Sequence, residues 1–293
     1  MSNLAQRILV AVIAIPVICY IILYKPIGLL GLTIIVALLA VHEFYGLAKA
    51  KGFVPQTILG MTLTALIVIS FAHYQLLHAA AFLHLHLSVA TLTIYLLPLI
   101  MIVGIIAIFT SELFKGYPNP FVQVSVTIGG AVYIGFGLGA FFGIRESLMD
   151  TNGASVNGAF FLIMMLVSIW ICDSAAYFVG RAFGRHKIAE RVSPNKSWEG
   201  GIAGLIASVA AWLIARTFIG GLEAVSLSTA IAMGLIAGGF GQVGDFAESM
   251  LKRDAGVKDS STLIPGHGGV LDRIDSILFV APLTYVYLQI FGV

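Results

Sequence analysis

The sequence predicts an all-α, polytopic integral membrane protein with about nine transmembrane helices. Three observations carry that prediction. Hydrophobic residues make up 59% of the 293-residue chain, against about 45–50% in soluble domains. Charged residues make up 10%, against about 25% in soluble domains, too few to cover a surface that faces water. The apolar residues also fall into runs of roughly 20, the length an α-helix needs to cross a bilayer. The same composition excludes disorder, which needs low hydrophobicity and high net charge. A formal net charge of +2 gives no ground for a nucleic-acid partner.

The runs lie at 5–24, 28–48, 56–77, 87–109, 121–144, 157–179, 200–219, 226–247 and 270–291. The first opens on a single basic residue, Arg7, but no small-x-small cleavage site precedes Lys25, so it reads as a retained span. Cys19 is flanked by bulky Val17, Ile18 and Tyr20, which is no lipid-attachment signal, and Cys172 also lies in an apolar run. Neither cysteine has metal-ligand spacing or a disulfide framework around it. Lys25-Pro26 ends the first run, and Lys49 to Pro55 ends the second. The third and fourth are separated only by histidines and Gln75. Lys115 to Pro120 and Asp150 to Val156 bound the fifth, and the polar loops Arg181–Glu199 and Glu248–Gly269 bound the sixth, seventh, eighth and ninth. Gly129 to Gly143 in the fifth run reads as a packing face, since no strand precedes it to make a dinucleotide loop.

Orientation follows from Lys and Arg. Nine spans put Arg7, Lys49, Lys51, Lys115, Arg181, Arg185, Lys187, Arg191, Lys196, Lys252, Arg253, Lys258 and Arg273 on one side, thirteen of the sixteen basic residues. Lys25, Arg145 and Arg216 fall on the other. That asymmetry places the N-terminus and the polar loops in the cytoplasm and the C-terminus outside.

Residues 1–150 hold six basic and four acidic residues, mostly at span ends, where they snorkel or set topology. They are expected to form N-terminal transmembrane helices that shape a lipid cleft or support a dimer. Residues 151–293 hold the other ten of each and are expected to form the catalytic region. Asp173 lies within the sixth span, about two turns from its cytoplasmic end, with Tyr177 on the same face at i+4 and Arg181 one turn further. It reads either as one partner of an interhelical ion pair or as the polar wall of a substrate site. In Ser193-Pro-Asn-Lys-Ser-Trp-Glu-Gly200, Ser197 can cap the next helix, Glu199 favours its first turn, and Lys196 projects a cation near its N-terminus. That arrangement is either an anion cradle or a basic loop on anionic lipid.

On a helix, Asp245, Glu248, Ser249 and Lys252 share one face. Beyond Arg253, Lys258 and Asp259 comes Pro265-Gly-His-Gly-Gly-Val-Leu-Asp-Arg-Ile-Asp275, where Gly268 and Gly269 can turn backbone N–H groups toward an anion and Asp272 and Asp275 sit at i, i+3. Carboxylates at this density repel one another unless they hold a hard dication such as Mg²⁺. Cations beside them suit a polyphosphate, the recurring arrangement for phosphoryl-group transfer. The alternative is a salt-bridge network closing a helix bundle, in which a Gly-His-Gly-Gly turn has no purpose.

Ser249-Met-Leu-Lys-Arg253, Lys258-Asp259 and Pro265 to Asp275 closely resemble the motif of the phosphatidate cytidylyltransferases, without departure across 249–275. The Asp173 segment, Ser193 to Gly200 and Gly244-Asp245 resemble the family too, so the likeness at motif level covers about 170–275. The resemblance implies the reaction of CTP with phosphatidate to give CDP-diacylglycerol and pyrophosphate. It implies Mg²⁺ as cofactor, an associated monovalent cation such as K⁺, and a homodimer in the bacterial inner membrane. Carried over by position, Asp245 and Asp272 are metal ligands, with Asp275 beside them. Lys252, Arg253, Lys258 and Arg273 are then expected to stabilise pyrophosphate, with Asp259 in the same cluster. Lys196 and Ser197 would hold the lipid phosphate or the triphosphate, and Asp173, Ser249, Gly268 and Gly269 would line the substrate site. His267 is expected as a hydrogen-bond donor or a general acid. Phosphatidate is already anionic, so no strong base is required.

Two rivals stay open: a cytidylyltransferase for another lipid phosphate of isoprenoid type, and a cation-coupled transporter, which would not need the cationic cluster. His73, His78, His84 and His86 read as interfacial polar residues, since i, i+2 positions do not share a helix face. His42-Glu43 reads as an interhelical hydrogen bond, at a dimer interface if there is one.

Overall fold

A computed structural model of the protein describes residues 3–73, 75–77, 95–148, 156–264, 266 and 268–293. Helices dominate: α1 (Asn3–Tyr24), α2 (Pro26–Ala50), α3 (Thr57–Ser70), α4 (Leu97–Leu113), α5 (Pro120–Ser147) and α6 (Gly158–Phe183) precede a short hairpin, β1 (Lys187–Ala189) and β2 (Ser193–Ser197). Then follow α7 (Trp198–Phe218), α8 (Leu227–Leu235), a π-helical segment (Ile236–Phe240), α9 (Gly241–Asp254), α10 (Leu271–Ile274) and α11 (Ile277–Phe291). The hairpin and an isolated antiparallel bridge between Ile264 and Gly268 are the departures from an all-α architecture among the described residues. The hairpin pairs Lys187 with Ser197 and Ala189 with Ser193 in an antiparallel register.

Proline sets several of the starts. Pro26 and Pro120 stand at the first turns of α2 and α5, where the missing N–H costs no hydrogen bond. Side-chain caps set others: Asn157 Oδ1 accepts from Ala159 N and Phe160 N at the head of α6, and Ser226 Oγ accepts from Thr229 N at the head of α8.

Six helical stretches are long and apolar enough to cross a membrane: Pro26–Ala50, Pro120–Ser147, Gly158–Phe183, Trp198–Phe218, Leu227–Asp254 and Leu271–Phe291. Val12–Tyr24, Thr57–Ser70 and Leu97–Leu113 are apolar but shorter. Nine full spans are therefore not what the described residues provide. The third expected span, 56–77, ends its helix at Ser70 after 14 residues. At about 1.5 Å per residue that helix is roughly 21 Å long, less than the roughly 30 Å hydrocarbon core. The fourth expected span meets α4 only from Leu97 onward, and residues 78–94, with His78, His84 and His86, lie outside the described residues.

The central helix is α5. It packs against α2, α3 and α11, while α6 and α7 lie side by side along their lengths. Five of the six glycines of α5 pack closely against neighbouring chain, while a Cβ on Gly129 would meet nothing within 4 Å. A Cβ on Gly137 would stand 2.9 Å from the Cα of Leu278, so α11 could not lie where it does. Polar groups at one end tie the same helices together. Tyr45 Oη donates to the Thr127 carbonyl at 2.6 Å, Gln56 N to Thr127 Oγ1 at 2.9 Å, and Gln56 Nε2 to Glu112 Oε2 at 2.5 Å. Cys19 and Cys172 are both free thiols.

Candidate active site

The acidic and basic residues of the C-terminal half gather in three adjoining groups. The first lies in a cleft of about 740 Å³ between α6, the hairpin, the start of α7 and α9. Asp173, Arg181, Lys187, Lys196, Ser197 and Asp245 line it. Lys196 rises from β2, and its Nζ stands 2.6 Å from Asp245 Oδ2 and 4.5 Å from the ring centre of Phe246. Ser249, one turn along α9, donates its hydroxyl to the other Asp245 oxygen at 3.3 Å. Asp173 and Asp275 both lie close enough to Asp245 and Lys196 to interact with their charges. Three carboxylates, from α6, α9 and the turn between α10 and α11, thus converge around one lysine.

Local packing makes that convergence possible. A Cβ on Gly200 would stand 2.6 Å from the Ala176 carbonyl, so glycine is what lets the head of α7 lie against α6. Gly244 does the same between α9 and the chain at Asp275. Ser197 Oγ caps α7 by accepting from Gly200 N at 3.3 Å, and it also lines the cleft. Glu199 was expected to act on the helix dipole. It stands in the first turn of α7, and its carboxylate also reaches back to accept from Arg185 N, His186 N and the His186 ring at 2.6 Å, which fixes the hairpin. Tyr177 accepts from Arg181 Nη1 at 3.1 Å. Gln242 closes the floor, its Nε2 donating to the Gly201 carbonyl at 3.0 Å and the Gly238 carbonyl at 2.6 Å.

The second group is buried. Lys252 Nζ stands 2.5 Å from Glu248 Oε2 and 2.5 Å from Asp272 Oδ1. Asp272 Oδ2 accepts from Ser260 N at 2.9 Å, Ser260 Oγ at 2.9 Å and Gly269 N at 2.8 Å. Beside it, Glu43 of α2 takes four donors from the same loop: Ser260 Oγ, Ser261 Oγ, Val270 N and Leu271 N. The glycine turn does present its N–H groups to an anion, but the anions are the protein's own carboxylates. Gly268 makes the turn at φ +78°, a conformation in which only glycine avoids a steric penalty.

The third group lines a polar pocket of about 520 Å³ with Lys258, Asp259, Ser261, Thr262, Gly268 and Arg273 among its walls. Arg253 points elsewhere and donates to the Val257 carbonyl at 3.0 Å, closing the start of the loop. His267 lies outside the described residues.

The shared α9 face of the sequence therefore divides. Asp245 and Ser249 turn to the cleft, while Glu248 and Lys252 turn to Asp272. Among the described residues, no three His, Cys, Asp or Glu side chains are grouped closely enough to hold a metal ion together. Of the expected ligands, Asp272 is turned away to Lys252 and the loop amides, and Asp245 is paired with Lys196. The Asp275 carboxylate accepts from its neighbour Ser276 N at 2.7 Å. The acidic donors of the cleft still suit a hard dication in kind, because they are carboxylate oxygens.

Glu43 and Gln242 were not picked out as site residues from the sequence. The signal for Glu43 was there, since a carboxylate inside an apolar span is costly unless it has partners. Its partners, however, are more than two hundred residues away.

A sequence profile of the Cytidylyltransferase family matches residues 5–291. The chain is similar to the phosphatidate cytidylyltransferase of Haemophilus influenzae, at 47% identity over 137 residues, 45% of this chain and 46% of that protein. It is similar to the phosphatidate cytidylyltransferase of Brucella suis, at 41% over 149 residues, 50% of this chain and 53% of that protein. It is also similar to phosphatidate cytidylyltransferase 5, chloroplastic, of Arabidopsis thaliana, at 37% over 197 residues, 61% of this chain and 48% of that protein. The matched part of the chain spans about half the length of these relatives.

Proposed function

This chain belongs to the cytidylyltransferase family, and on that premise we propose that it transfers the cytidylyl group of CTP to phosphatidate, giving CDP-diacylglycerol and pyrophosphate. The observation that carries the reading is the cleft in which Lys196 meets Asp245, with Asp173 and Asp275 beside them. Carboxylates and cations in one cleft suit a reaction between two anions, and the long apolar helices around it suit a lipid substrate.

In the proposed reaction, an oxygen of the phosphatidate phosphate forms a bond to the α-phosphorus of CTP. The bond from that phosphorus to the α–β bridging oxygen breaks, and pyrophosphate leaves with the electron pair. The attacking oxygen carries no proton that must be removed, so the chain needs no general base. Its task is to bring the anions together and offset their charge.

Lys196, Lys187 and Arg181 supply that charge within the cleft. Lys258 and Arg273 supply it in the adjoining polar pocket, which suits the departing pyrophosphate. Mg²⁺ is the cofactor we propose; Asp245 and Asp275 would supply its protein oxygens, with substrate phosphates and water completing its shell. When bound, it would polarise phosphate oxygens and offset their charge. We assign Asp272 to holding Lys252 and the loop rather than to the metal, because both its oxygens already have donors. We further propose a homodimer in the bacterial inner membrane, with the N-terminus and the cleft cytoplasmic and the C-terminus outside. That orientation counts the three shorter apolar helices as spans together with the six longer ones, which gives the thirteen-to-three split of basic residues.

The test is a detergent-micelle assay with phosphatidate, labelled CTP and Mg²⁺. Labelled CDP-lipid with one pyrophosphate per turnover supports the reading. Turnover without a sealed compartment also rules out transport as the primary activity. Well-folded protein that makes no product from phosphatidate, but does so from an isoprenoid phosphate, would overturn the choice of lipid.

A further inference from the structure

The Glu43 carboxylate sits near the end of α2, is 6% exposed, and belongs to the half of the chain that carries no recognised motif. Both of its oxygens are used. Oε1 accepts from Ser261 Oγ at 2.6 Å and Val270 N at 3.0 Å, and Oε2 accepts from Ser260 Oγ at 2.9 Å and Leu271 N at 2.8 Å. All four donors belong to one segment, the loop after α9 and the head of α10. That segment carries Lys258 and Asp259 before the glycine turn and Asp272, Arg273 and Asp275 after it.

We infer that Glu43 is a positioning residue of the active site: its carboxylate clasps the loop at both ends of the glycine turn and so sets where Arg273 and Asp275 stand. This inference rests on the reaction proposed above.

Three features favour a clasp over a buried polar group that merely finds partners. The four donors come from two stretches of chain ten residues apart, so one carboxylate closes the loop on itself. The Ser260 hydroxyl lies 2.9 Å from both Glu43 Oε2 and Asp272 Oδ2. It has a single proton to donate and so links the two carboxylates into one network. That network continues through Asp272 to Lys252 and Glu248 on α9. Finally, Gly269 is fitted to the clasp, since a Cβ there would collide with Ser260 Oγ and Glu43 Oε2. If the clasp is loosened, the loop keeps its hold on Asp272 but loses the fixed start of α10.

The experiment compares wild type with Glu43→Gln, Glu43→Asp and Ser261→Ala in detergent, by steady-state kinetics and by amide hydrogen exchange. Glutamine keeps the size and one acceptor but turns an NH₂ group toward donors. In E43Q, kcat is expected to fall about 10–100-fold, the usual cost of removing a partner that orients a site residue. KM for CTP and phosphatidate should change little. Exchange protection should be lost at Val270 and Leu271 and kept along α5. E43D, which keeps the charge, should recover part of kcat.

Wild-type kcat in E43Q would overturn the inference. So would loss of protection along α5 together with α10, which is the mark of a purely structural role. Should E43Q fail to fold, S261A decides on the same two readouts, because it removes one donor and leaves the carboxylate. If wild type makes no CDP-lipid, the proposed reaction fails. The exchange experiment still reads the clasp by itself.

Discussion

Lys196 Nζ lies 2.6 Å from Asp245 Oδ2, joining the hairpin before α7 to the helix after the π-helical segment. The two side chains are 31% and 32% exposed, so the pair is neither sealed in the core nor loose in solvent. An exposed ion pair of this kind contributes little to stability. Its location matters more, because Asp173 and Asp275 act on the same two charges. Three carboxylates crowd one lysine, and a bound cation would offset their mutual repulsion. It would also leave Lys196 able to turn to a phosphate once Asp245 has another partner.

From this follows the first prediction. Lys196→Met should lower kcat/KM about 10²–10³-fold, the effect of removing one preorganised donor to developing charge. Thermal stability in detergent should stay close to wild type, because the pair is half-open to solvent. A large fall in Tm, measured by loss of the monodisperse gel-filtration peak on heating, would instead make Lys196 a structural residue.

The second prediction separates Asp245 from Asp272. EDTA should abolish turnover and added Mg²⁺ should restore it. Asp245→Asn should raise the half-saturating Mg²⁺ concentration by about 10–100-fold or more, since even an outer-shell partner costs that much. Asp272→Asn should lower Tm and leave the Mg²⁺ dependence of the remaining activity unchanged. The reverse pattern would return Asp272 to the metal and remove it from the loop.

Much of this was legible in the sequence, and the parts that were not have physical reasons. Asp173, Lys196, Asp245 and Asp275 stand in short polar motifs at the ends of apolar runs, so their convergence could be expected from span order alone. The pairing of Lys252 with Glu248 follows from their i, i+4 spacing on α9. The turn of Asp272 toward Lys252 does not, because it depends on how α10 enters the bundle. The same holds for Glu43, whose donors lie at 260–271 and leave no local pattern around α2. The glycine turn was read correctly as a place where N–H groups face an anion, but sequence spacing cannot say whether that anion is a substrate or a side chain. Among the described residues six of the nine expected spans are long enough to cross a membrane: 56–77 is apolar almost throughout, yet α3 stops at Ser70.

A third prediction concerns the buried group. Lys252 stands 2.5 Å from each of two carboxylates whose side chains are 1% and 4% exposed. Glu248→Gln removes one negative charge and leaves a balanced Lys252–Asp272 pair, so it should be tolerated. Lys252→Met leaves two carboxylates facing each other in the core. Removing one partner of a buried pair typically costs about 3–5 kcal/mol. A clear drop in Tm for K252M beside a near-normal E248Q, followed by thermal unfolding in detergent, is the expected result. Equal losses would mean that Lys252 serves only one of the two acids.

The last prediction tests the approach of α9 to the site. A Cβ on Gly244 would stand 2.5 Å from the Asp275 carbonyl oxygen and 3.1 Å from both the Asp275 carbonyl carbon and the Ser276 Cα. These are backbone atoms, so no side-chain rotation can relieve the contact. Gly244→Ala must therefore push α9 away from the head of α11, and Asp245, the next residue, moves with it. Overpacking of this kind costs about 1–3 kcal/mol of stability, which a membrane bundle of this size should survive. Activity should suffer more than stability, because displacing a reacting group by about 1 Å can cost 10²-fold in rate. Gly239→Ala is the matched control in the preceding π-helical segment, where the nearest contact of a Cβ is Leu205 Cδ1 at an ordinary 3.9 Å. G244A with wild-type kcat would show that Asp245 does not need its present distance from Asp275, and the carboxylate cluster would lose its claim to be one site.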